Sequence, residues 1–379
     1  MDKKWVAIWG AASSYAERGV ANYAKNFTLR FTHFSTLDGE AVKIHLSNLL
    51  GESDVTLTRA SIAICGENAY VAKSGSMRAL TFNGSESVKL ERGKKVVSDV
   101  ADITVKRGEK LLLSLYFEDF TCLDNSVANW GPLHNNSFAV GDFTGKESFD
   151  INVANGLWSF YFVDTIELLT AKENRSVIAF GDSITAQSWP EQLVLKLCEN
   201  GKNIGVVRRA ISGSRVLRQY DCIQYRHYGP RGLDRVEHEL DVEGVDTVVV
   251  LHGVNDLIHP GDGNPFRPMS DFPTADELIA GFKKYIDEAH KRGLKIYLCT
   301  ILPIEGWRTY AAFRNDVRVA VNEWLRTQTE ADGVIDLDAE LRQAENPDAL
   351  LPEYDSGDHL HPSYEGATKI AELVYNKIV

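Results

Sequence analysis

The chain of 379 residues has room for two domains of ordinary size, at roughly 150 residues each. Its 44% hydrophobic and 10% aromatic content, with only 29 glycines and 11 prolines, excludes disordered and fibrous classes. Acidic residues outnumber basic ones by 53 to 41, a net charge of −12, and no basic run interrupts this balance, so we expect no nucleic-acid partner.

Three sequence features bear on the cellular compartment of the protein. Residues 3–12 place a short apolar run after two lysines, which lies at the lower limit for a signal peptide and is equally typical of a first β-strand. The 5 cysteines are scattered and odd in number, which indicates reduced thiols rather than a disulfide framework. No stretch approaches the roughly 18 apolar residues of a transmembrane helix, so no membrane association is expected. We expect a cytoplasmic protein, with secretion as the alternative.

The first 172 residues have the pattern of an all-β domain. Residues 27–32 alternate apolar and polar side chains, and turn signals such as Asn83-Gly84 separate the apolar runs. The predicted strands are Phe27–Phe34, Ala41–Leu46, Thr56–Ile64, Ser87–Leu90, Asp102–Val105, Lys110–Phe117 and Trp158–Leu169. Short strands at this spacing are typical of a β-sandwich or jelly roll, which we predict over residues 1–172.

After a polar connector at residues 170–175, apolar strands alternate with helical patterns. Val245–Leu251 is an almost continuous Val/Leu run, as in a strand buried on both faces. Further strands are predicted at Ser176–Phe180, Gly205–Ile211, Lys295–Ile301 and Val334–Leu337, and helices at Pro190–Glu199, Ala275–Arg292, Phe313–Thr329 and Tyr364–Ile378. This alternation predicts an α/β domain over residues 173–379, with a mostly parallel sheet between helices.

Chemically active residue types follow the predicted strands. They are Gly181-Asp182-Ser183-Ile184-Thr185, Gly213, Gly253-Val254-Asn255-Asp256 and, before the last helix, Asp358-His359-Leu360-His361. Ligands of doubly wound sheets bind beyond the carboxyl ends of the strands, so these groups should gather at one edge.

Together the groups supply the parts of a serine esterase. Ser183 on a tight strand-to-helix turn is the candidate nucleophile, His361 the base and acid, and Asp358 the residue that orients the imidazole. The backbone N–H groups of Ser183 and Gly213 and the side-chain amide of Asn255 are the candidate oxyanion donors. Asp182 and Asp256 are expected to support their loops.

These four blocks resemble the GDSL, or SGNH, hydrolase family, over residues 175–379. The resemblance implies a flavodoxin-like three-layer α/β/α fold that needs no cofactor and no metal. Tyr228-Gly229-Pro230 and Pro352–His361, with the β-rich N-terminal half, more narrowly resemble arylesterases and acylhydrolases related to xylan-cluster enzymes. The narrower resemblance implies a small-molecule ester substrate, an acetylated oligosaccharide such as a xylo-oligosaccharide. Ala186-Gln187 and Ser214 depart from the family pattern and bear on pocket shape.

Several positions keep a second interpretation. Ser183 also fits a helix cap, and His359 competes with His361, although the spacing within the family block favours His361. His252 is expected to line the pocket. Trp307 is expected to contact substrate by stacking on a sugar ring, with core packing as the alternative for it and for Trp130 and Trp189.

Other functions also remain open. The alternative within the same chemistry is a general arylesterase or lipase-type acylhydrolase acting on non-carbohydrate esters. Two alternatives come from other functional classes: a metal-dependent phosphoesterase, and a carbohydrate-binding protein with a vestigial catalytic site. The long loop Ile258–Pro273 is either a lid or an ordinary insertion. The sequence leaves open whether the chain forms a homo-oligomer.

Overall fold

The computed structural model describes residues 2–16, 23–68, 70–133, 135–149, 155–157 and 159–379. The chain forms two compact units. One comprises residues up to 176 with segments 197–207 and 242–244, and the other comprises 177–196, 208–241 and 245–379. The boundary after residue 172 stays a prediction.

In the first unit, every regular element described between residues 2 and 174 is a β-strand. The strands are β1 (Lys3–Gly10), β2 (Tyr23–Ala24), β3 (Phe27–Phe34), β4 (Gly39–Ser47), β5 (Val55–Leu57), β6 (Arg59–Ile64), β7 (Arg78–Leu80), β8 (Val88–Leu90), β9 (Lys95–Val97), β10 (Ala101–Val105), β11 (Lys110–Phe117), β12 (Thr121–Cys122), β13 (Ser126–Ala128), β14 (Asn136–Val140), β15 (Asn155–Leu157), β16 (Ser159–Tyr161) and β17 (Val163–Ala171).

Most of these strands form two antiparallel sheets. One has the order β1-β17-β4-β10 with β9 beside β4, and the other has the order β15-β14-β3-β11-β6-β7. The Trp9 ring of the first sheet lies 4.3 Å from the His33 ring of the second, so the two sheets share a core. The unit is all-β, as expected, while jelly-roll connectivity stays a prediction.

Two long predicted strands are each divided in the structure. Thr56–Ile64 becomes β5 and β6, with Thr58 between them. The predicted strand Trp158–Leu169 is interrupted at Phe162, whose φ of 61° lies in the left-handed region and is incompatible with a continuous strand. Trp158 itself lies outside the described residues. Composition gave no sign of either break, because both sites have ordinary strand-forming side chains.

The second unit contains the carboxyl ends of a five-stranded sheet and most of the helices. The sheet strands are β18 (Arg175–Gly181), β19 (Ile204–Ala210), β20 (Val245–Leu251), β21 (Lys295–Cys299) and β22 (Gly333–Ile335), and the helices are α1 (Ser183–Ala186), α2 (Trp189–Glu199), α3 (Gly232–Glu239), α4 (Val254–Ile258), α5 (Ala275–Lys291), α6 (Ala312–Thr327), α7 (Leu337–Leu341) and α8 (Tyr364–Ile378). The predicted strand Val334–Leu337 ends early, because the Asp336 side chain accepts from the Ala339 N–H and caps α7.

The order of the sheet positions the site. The strands lie in the order β19-β18-β20-β21-β22, the flavodoxin-like order 2-1-3-4-5, and β20, β21 and β22 pair in parallel. Connections from the central strands β18 and β20 therefore run to opposite halves of the sheet. Ser183 follows β18 and Asn255 follows β20, so both lie at the point where a crevice opens in such folds.

Two further observations concern the expected compartment. All five cysteines have free thiols. Among the helices in the described ranges, none has both the length and the apolar composition needed to cross a membrane.

Candidate active site

Ser183, His361 and Asp358 form a continuous chain of hydrogen bonds. The Oγ atom of Ser183 lies 2.8 Å from Nε2 of His361, and Nδ1 of the same ring lies 2.6 Å from Oδ2 of Asp358. The carboxylate accepts from Nδ1–H, which leaves Nε2 to accept the serine proton. The imidazole is therefore oriented to act as a base toward Ser183.

Asp358 is held in its charged form. Its Oδ1 atom accepts from the backbone N–H groups of His361, at 2.8 Å, and Leu360, at 3.0 Å. Partial burial favours the neutral acid, but the hydrogen bonds from the His361 ring and backbone outweigh it and lower the pKa of Asp358. The negative charge then stabilises the imidazolium that forms when His361 takes a proton.

The turn that carries Ser183 is tightly packed. A Cβ on Gly181 would lie 2.1 Å from the carbonyl oxygen of Leu251, so only glycine fits where β18 passes β20. Asp182 caps α1 by accepting from the Ile184 N–H over 3.1 Å. Burial, with a smaller contribution from Asp256, raises the pKa of Asp182 to about 7. Asp182 thus supports the loop, as expected, from a fully buried position.

Arg235 is a site residue that sequence reasoning missed. It is fully buried, and its guanidinium donates to the carbonyl oxygens of Gly181, at 2.7 Å, and Arg209, at 3.0 Å. Its charge also lies 4.1 Å from the centre of the Phe180 ring. An arginine in a polar helical stretch normally indicates a solvent-facing position, so the sequence held no signal for this contact with the nucleophile turn.

The loop after β19 is held by polar side chains that follow β20. The amide Nδ2 of Asn255 donates to the Ser214 carbonyl oxygen over 3.0 Å. Asp256 accepts from the N–H groups of Val216, at 2.7 Å, and Leu217, at 3.0 Å. These bonds bring Gly213, which has a φ of 79°, and Asn255 to the same edge of the sheet.

The candidate oxyanion donors are available. In the described part of the chain, the backbone N–H groups of Ser183 and Gly213 have no acceptor. Among the described residues the Asn255 amide donates to Ser214 alone, so its second hydrogen is likewise unused. Unpaired donors at one edge of a buried site are what a developing oxyanion requires.

The structure corrects the expectation for His252. This residue is 2% exposed, with Nε2 lying 3.1 Å from both Oγ and the carbonyl oxygen of Ser214, and Nδ1 lying 3.1 Å from the Tyr285 hydroxyl. Burial, and secondarily the charge of Arg235, lowers the pKa of His252 to about 3, so the ring is neutral. His252 therefore supports the loop, and both of its ring nitrogens already bond to protein groups.

Trp307 and His359 lie beside the triad in different ways. The Trp307 ring centre is 6.3 Å from that of His361, with the two planes at 83°. The Nδ1 atom of His359 instead lies 2.6 Å from Asp355, so His359 makes no bond to Ser183. Trp189 is 1% exposed and belongs to the core.

The loop Ile258–Pro273 folds onto the segment after Gly213. Within the loop, the Gly261 N–H donates to the carbonyl oxygen of Arg267 over 2.7 Å. The Nδ1 atom of His259 and the Tyr220 hydroxyl form a short hydrogen bond. That hydroxyl also lies 3.3 Å from the Gly213 carbonyl oxygen. Burial keeps the pKa of His259 well below its ordinary value, so the ring is neutral. The loop Ile258–Pro273 thus supports Gly213, a candidate oxyanion donor, through Tyr220.

The arrangement of possible metal ligands bears on the alternative function of a metal-dependent phosphoesterase. Within the ranges that the structure describes, no group of three or more His, Cys, Asp or Glu side chains is arranged to hold a metal ion. His361 and His359 pair with Asp358 and Asp355 instead, and Asp256 accepts from backbone N–H groups.

Comparisons with known proteins were made by sequence and by fold. No curated protein matches the chain. Similar solved structures include a GDSL-like lipase from Bacteroides thetaiotaomicron, 18% identical over 55% of this chain and 89% of that chain with a TM-score of 0.41. An acetyl xylan esterase from Geobacillus stearothermophilus is 22% identical over 54% and 94%, with a TM-score of 0.41. A psychrotrophic esterase from Pseudoalteromonas is 17% identical over 54% and 97%, with a TM-score of 0.36.

The profile of the GDSL-like lipase/acylhydrolase family matches residues 179–369. This range is just over half of the chain, and it contains the nucleophile turn, the asparagine segment and the Asp/His loop. The chain therefore belongs to the GDSL-like lipase/acylhydrolase family.

Proposed function

We propose that this acylhydrolase is a serine esterase that removes short acyl groups, acetyl foremost, from carbohydrates such as xylo-oligosaccharides. The observation that carries the proposal is the position of His361, bonded to Ser183 on one side and to Asp358 on the other. A serine so paired is an activated nucleophile rather than a simple helix cap.

The reaction runs through an acyl-enzyme. Nε2 of His361 takes the Ser183 proton while Oγ attacks the ester carbonyl carbon. The N–H groups of Ser183 and Gly213 and the Asn255 amide stabilise the resulting oxyanion. His361 then gives the proton to the departing alcohol, which leaves the acyl group on Ser183. A water molecule, deprotonated by His361, attacks that ester, and the carboxylic acid leaves as the proton returns to Oγ.

Two features support a carbohydrate substrate. The Trp307 ring lies next to His361, with the two ring centres 6.3 Å apart. Trp307 is also only partly buried, so its ring can contact a bound sugar.

The first experiment is covalent labelling with a fluorophosphonate, followed by intact mass and peptide mapping. We expect one adduct, on Ser183, that is lost in His361→Ala. Folded protein that takes up no label, or takes it up on another serine, would contradict the proposed nucleophile.

Substrate class is tested separately. We expect higher kcat/KM for deacetylation of acetylated xylo-oligosaccharides than for aryl acetates or for esters of longer acids. Preference for long acyl chains would favour the lipase-type alternative instead. Ser183→Ala should abolish all of these activities without changing the circular dichroism spectrum.

A further inference from the structure

A second aspartate–histidine pair lies on the same loop as Asp358 and His361. Oδ2 of Asp355 lies 2.6 Å from Nδ1 of His359, and Oδ1 accepts from the N–H groups of Gly357, at 2.8 Å, and His359, at 3.0 Å. His359 has a φ of 64°, a conformation that side-chain-bearing residues rarely adopt. One carboxylate therefore holds both the ring and the backbone of His359 in an unfavourable conformation.

The His359 ring packs on the segment that carries Trp307. A Cβ on Gly306, whose φ is 94°, would lie 2.6 Å from Cγ of His359, so the imidazole occupies the space of the missing side chain. Gly306 is directly followed by Trp307, whose ring meets that of His361 nearly at a right angle. The two histidines of the loop thus contact adjacent residues of one segment.

Other contacts hold this segment at its ends and at Trp307 itself. The Glu305 N–H donates to the Asp348 carbonyl oxygen over 2.8 Å, and the Thr309 hydroxyl donates to that of Ile258 over 2.7 Å. Trp307 donates its backbone N–H to Ile304 and accepts from the Tyr310 N–H over 2.8 Å, and the Arg308 guanidinium lies 4.7 Å from the centre of its ring. Its indole N–H has no acceptor among the described residues. The contact of His359 with Gly306 adds a link from the triad loop to the residue directly before Trp307.

We propose that Asp355 and His359 are positioning residues that hold Trp307 against His361. Through this contact the indole limits rotation of the His361 ring, which then keeps Nε2 directed at Ser183. The inference deepens the proposed function and rests on it, since it takes Ser183 and His361 as the reacting pair.

The main test is His359→Gly. Glycine accepts the left-handed backbone, so a purely structural role for His359 predicts a protein of equal or higher Tm with unchanged kinetics. A positioning role predicts the same Tm but a kcat lowered about tenfold, because small misplacements of reacting groups are costly. Asn83→Gly is the matched control, since Asn83 has a φ of 51° in the first unit and should leave kcat unchanged. An unaltered kcat in His359→Gly overturns the inference.

A double-mutant cycle with Trp307→Ala tests the route. If His359 acts through Trp307, adding His359→Gly to Trp307→Ala lowers kcat no further. Independent losses that multiply would overturn this route. His359→Asn should restore little, since asparagine keeps a bond to Asp355 but lacks the ring that covers Gly306.

A fluorescence readout separates this inference from the proposed function. The fluorescence of Trp307 is obtained by subtracting the signal of the matching Trp307→Phe variant. We expect acrylamide to quench this fluorescence more strongly in His359→Gly than in wild type. Unchanged quenching overturns the positioning role even in a protein that hydrolyses no ester. If the fluorophosphonate does not label Ser183 in the wild-type protein, the proposed function is overturned. The quenching result then still tests the contact between His359 and the Trp307 segment.

Discussion

Tyr228 packs its ring on Gly213 so closely that a Cβ on Gly213 would lie 2.4 Å from Cδ1 of the tyrosine. With a φ of 79° at the same residue, Gly213 has neither the space nor the backbone conformation for a side chain. The position of its N–H, a candidate oxyanion donor, depends on both constraints.

Gly213→Ala should therefore lower stability and kcat together. The left-handed backbone costs about 1 kcal/mol, and displacing the Tyr228 ring costs about 1–3 kcal/mol more. Urea unfolding and steady-state kinetics check both effects. Gly293→Ala is the control, because Gly293 has a φ of 71° with no atom within 4 Å of a Cβ, and should show the backbone cost alone. Equal stabilities of the two variants would contradict the steric part of the argument.

Asn255→Ala tests the side-chain oxyanion donor. Loss of one such donor typically lowers kcat roughly 100- to 1,000-fold with little change in KM. Asn322→Ala is a suitable comparison, because the Asn322 amide bonds to both backbone groups of Ile301, each over 2.8 Å, away from the reacting atoms. It should reduce the free energy of unfolding while kcat stays near that of wild type. A large rise in KM with an unchanged kcat for Asn255→Ala would count against the assigned role.

The two aspartate–histidine pairs of the last loop should respond differently to loss of charge. Asp358→Asn should lower kcat roughly 10²- to 10⁴-fold, because the amide cannot stabilise the imidazolium of His361. Asp355→Asn acts only through His359 and should cost no more than about tenfold. Both changes keep side-chain volume, so steady-state kinetics at one pH compare them directly. Similar losses in the two variants would show that the assignment of the pairs is wrong.

The buried carboxyl of Asp182 should make stability depend on pH. Its pKa is about 7 when folded, against an ordinary value of 3.8, so between these values the folded state binds more protons than the unfolded one. The free energy of unfolding then falls as pH rises from about 4 to 7, by about 4 kcal/mol for this group. Asp256, whose pKa burial raises to about 6, acts in the same direction.

Asp182→Asn should remove this dependence. Asparagine keeps an oxygen for the Ile184 N–H but cannot ionise, so the variant gains stability over wild type as pH rises. Urea unfolding at intervals from pH 4 to pH 8 measures the difference. A difference that stays constant over the whole range would contradict the ionisation argument.

Sequence reasoning succeeded where one side-chain pattern decides the structure. The Val/Leu run Val245–Leu251 coincides with β20, and the helix predicted at Tyr364–Ile378 coincides with α8. Ser183 and Asn255 then each come shortly after a predicted strand, and the structure shows that these two strands are neighbours. The edge of the sheet at which the site lies was thus readable from apolar periodicity and loop composition.

The parts that failed depend on partners far away in the chain. His252 follows β20 just as Asn255 does, yet it turns inward because Ser214 and Tyr285 lie there to bond both of its nitrogens. Arg235 is buried because carbonyl oxygens of Gly181 and Arg209 converge on it. Such contacts arise only when helices and strands pack, and no local pattern encodes them.

The carbonyl oxygen of Ser214 accepts from both His252 and Asn255, while Asp256 binds two backbone N–H groups of the same loop. Segments 213–217 and 252–256 are consequently joined by hydrogen bonds into one structural unit. An engineer who grafts the site onto another parallel sheet must move both together, since either alone loses the groups that shape it. Loop 355–361 is different, because each of its aspartates bonds to a histidine of that loop. Its two histidines also contact Gly306 and Trp307, so segment 304–309 must be moved with it.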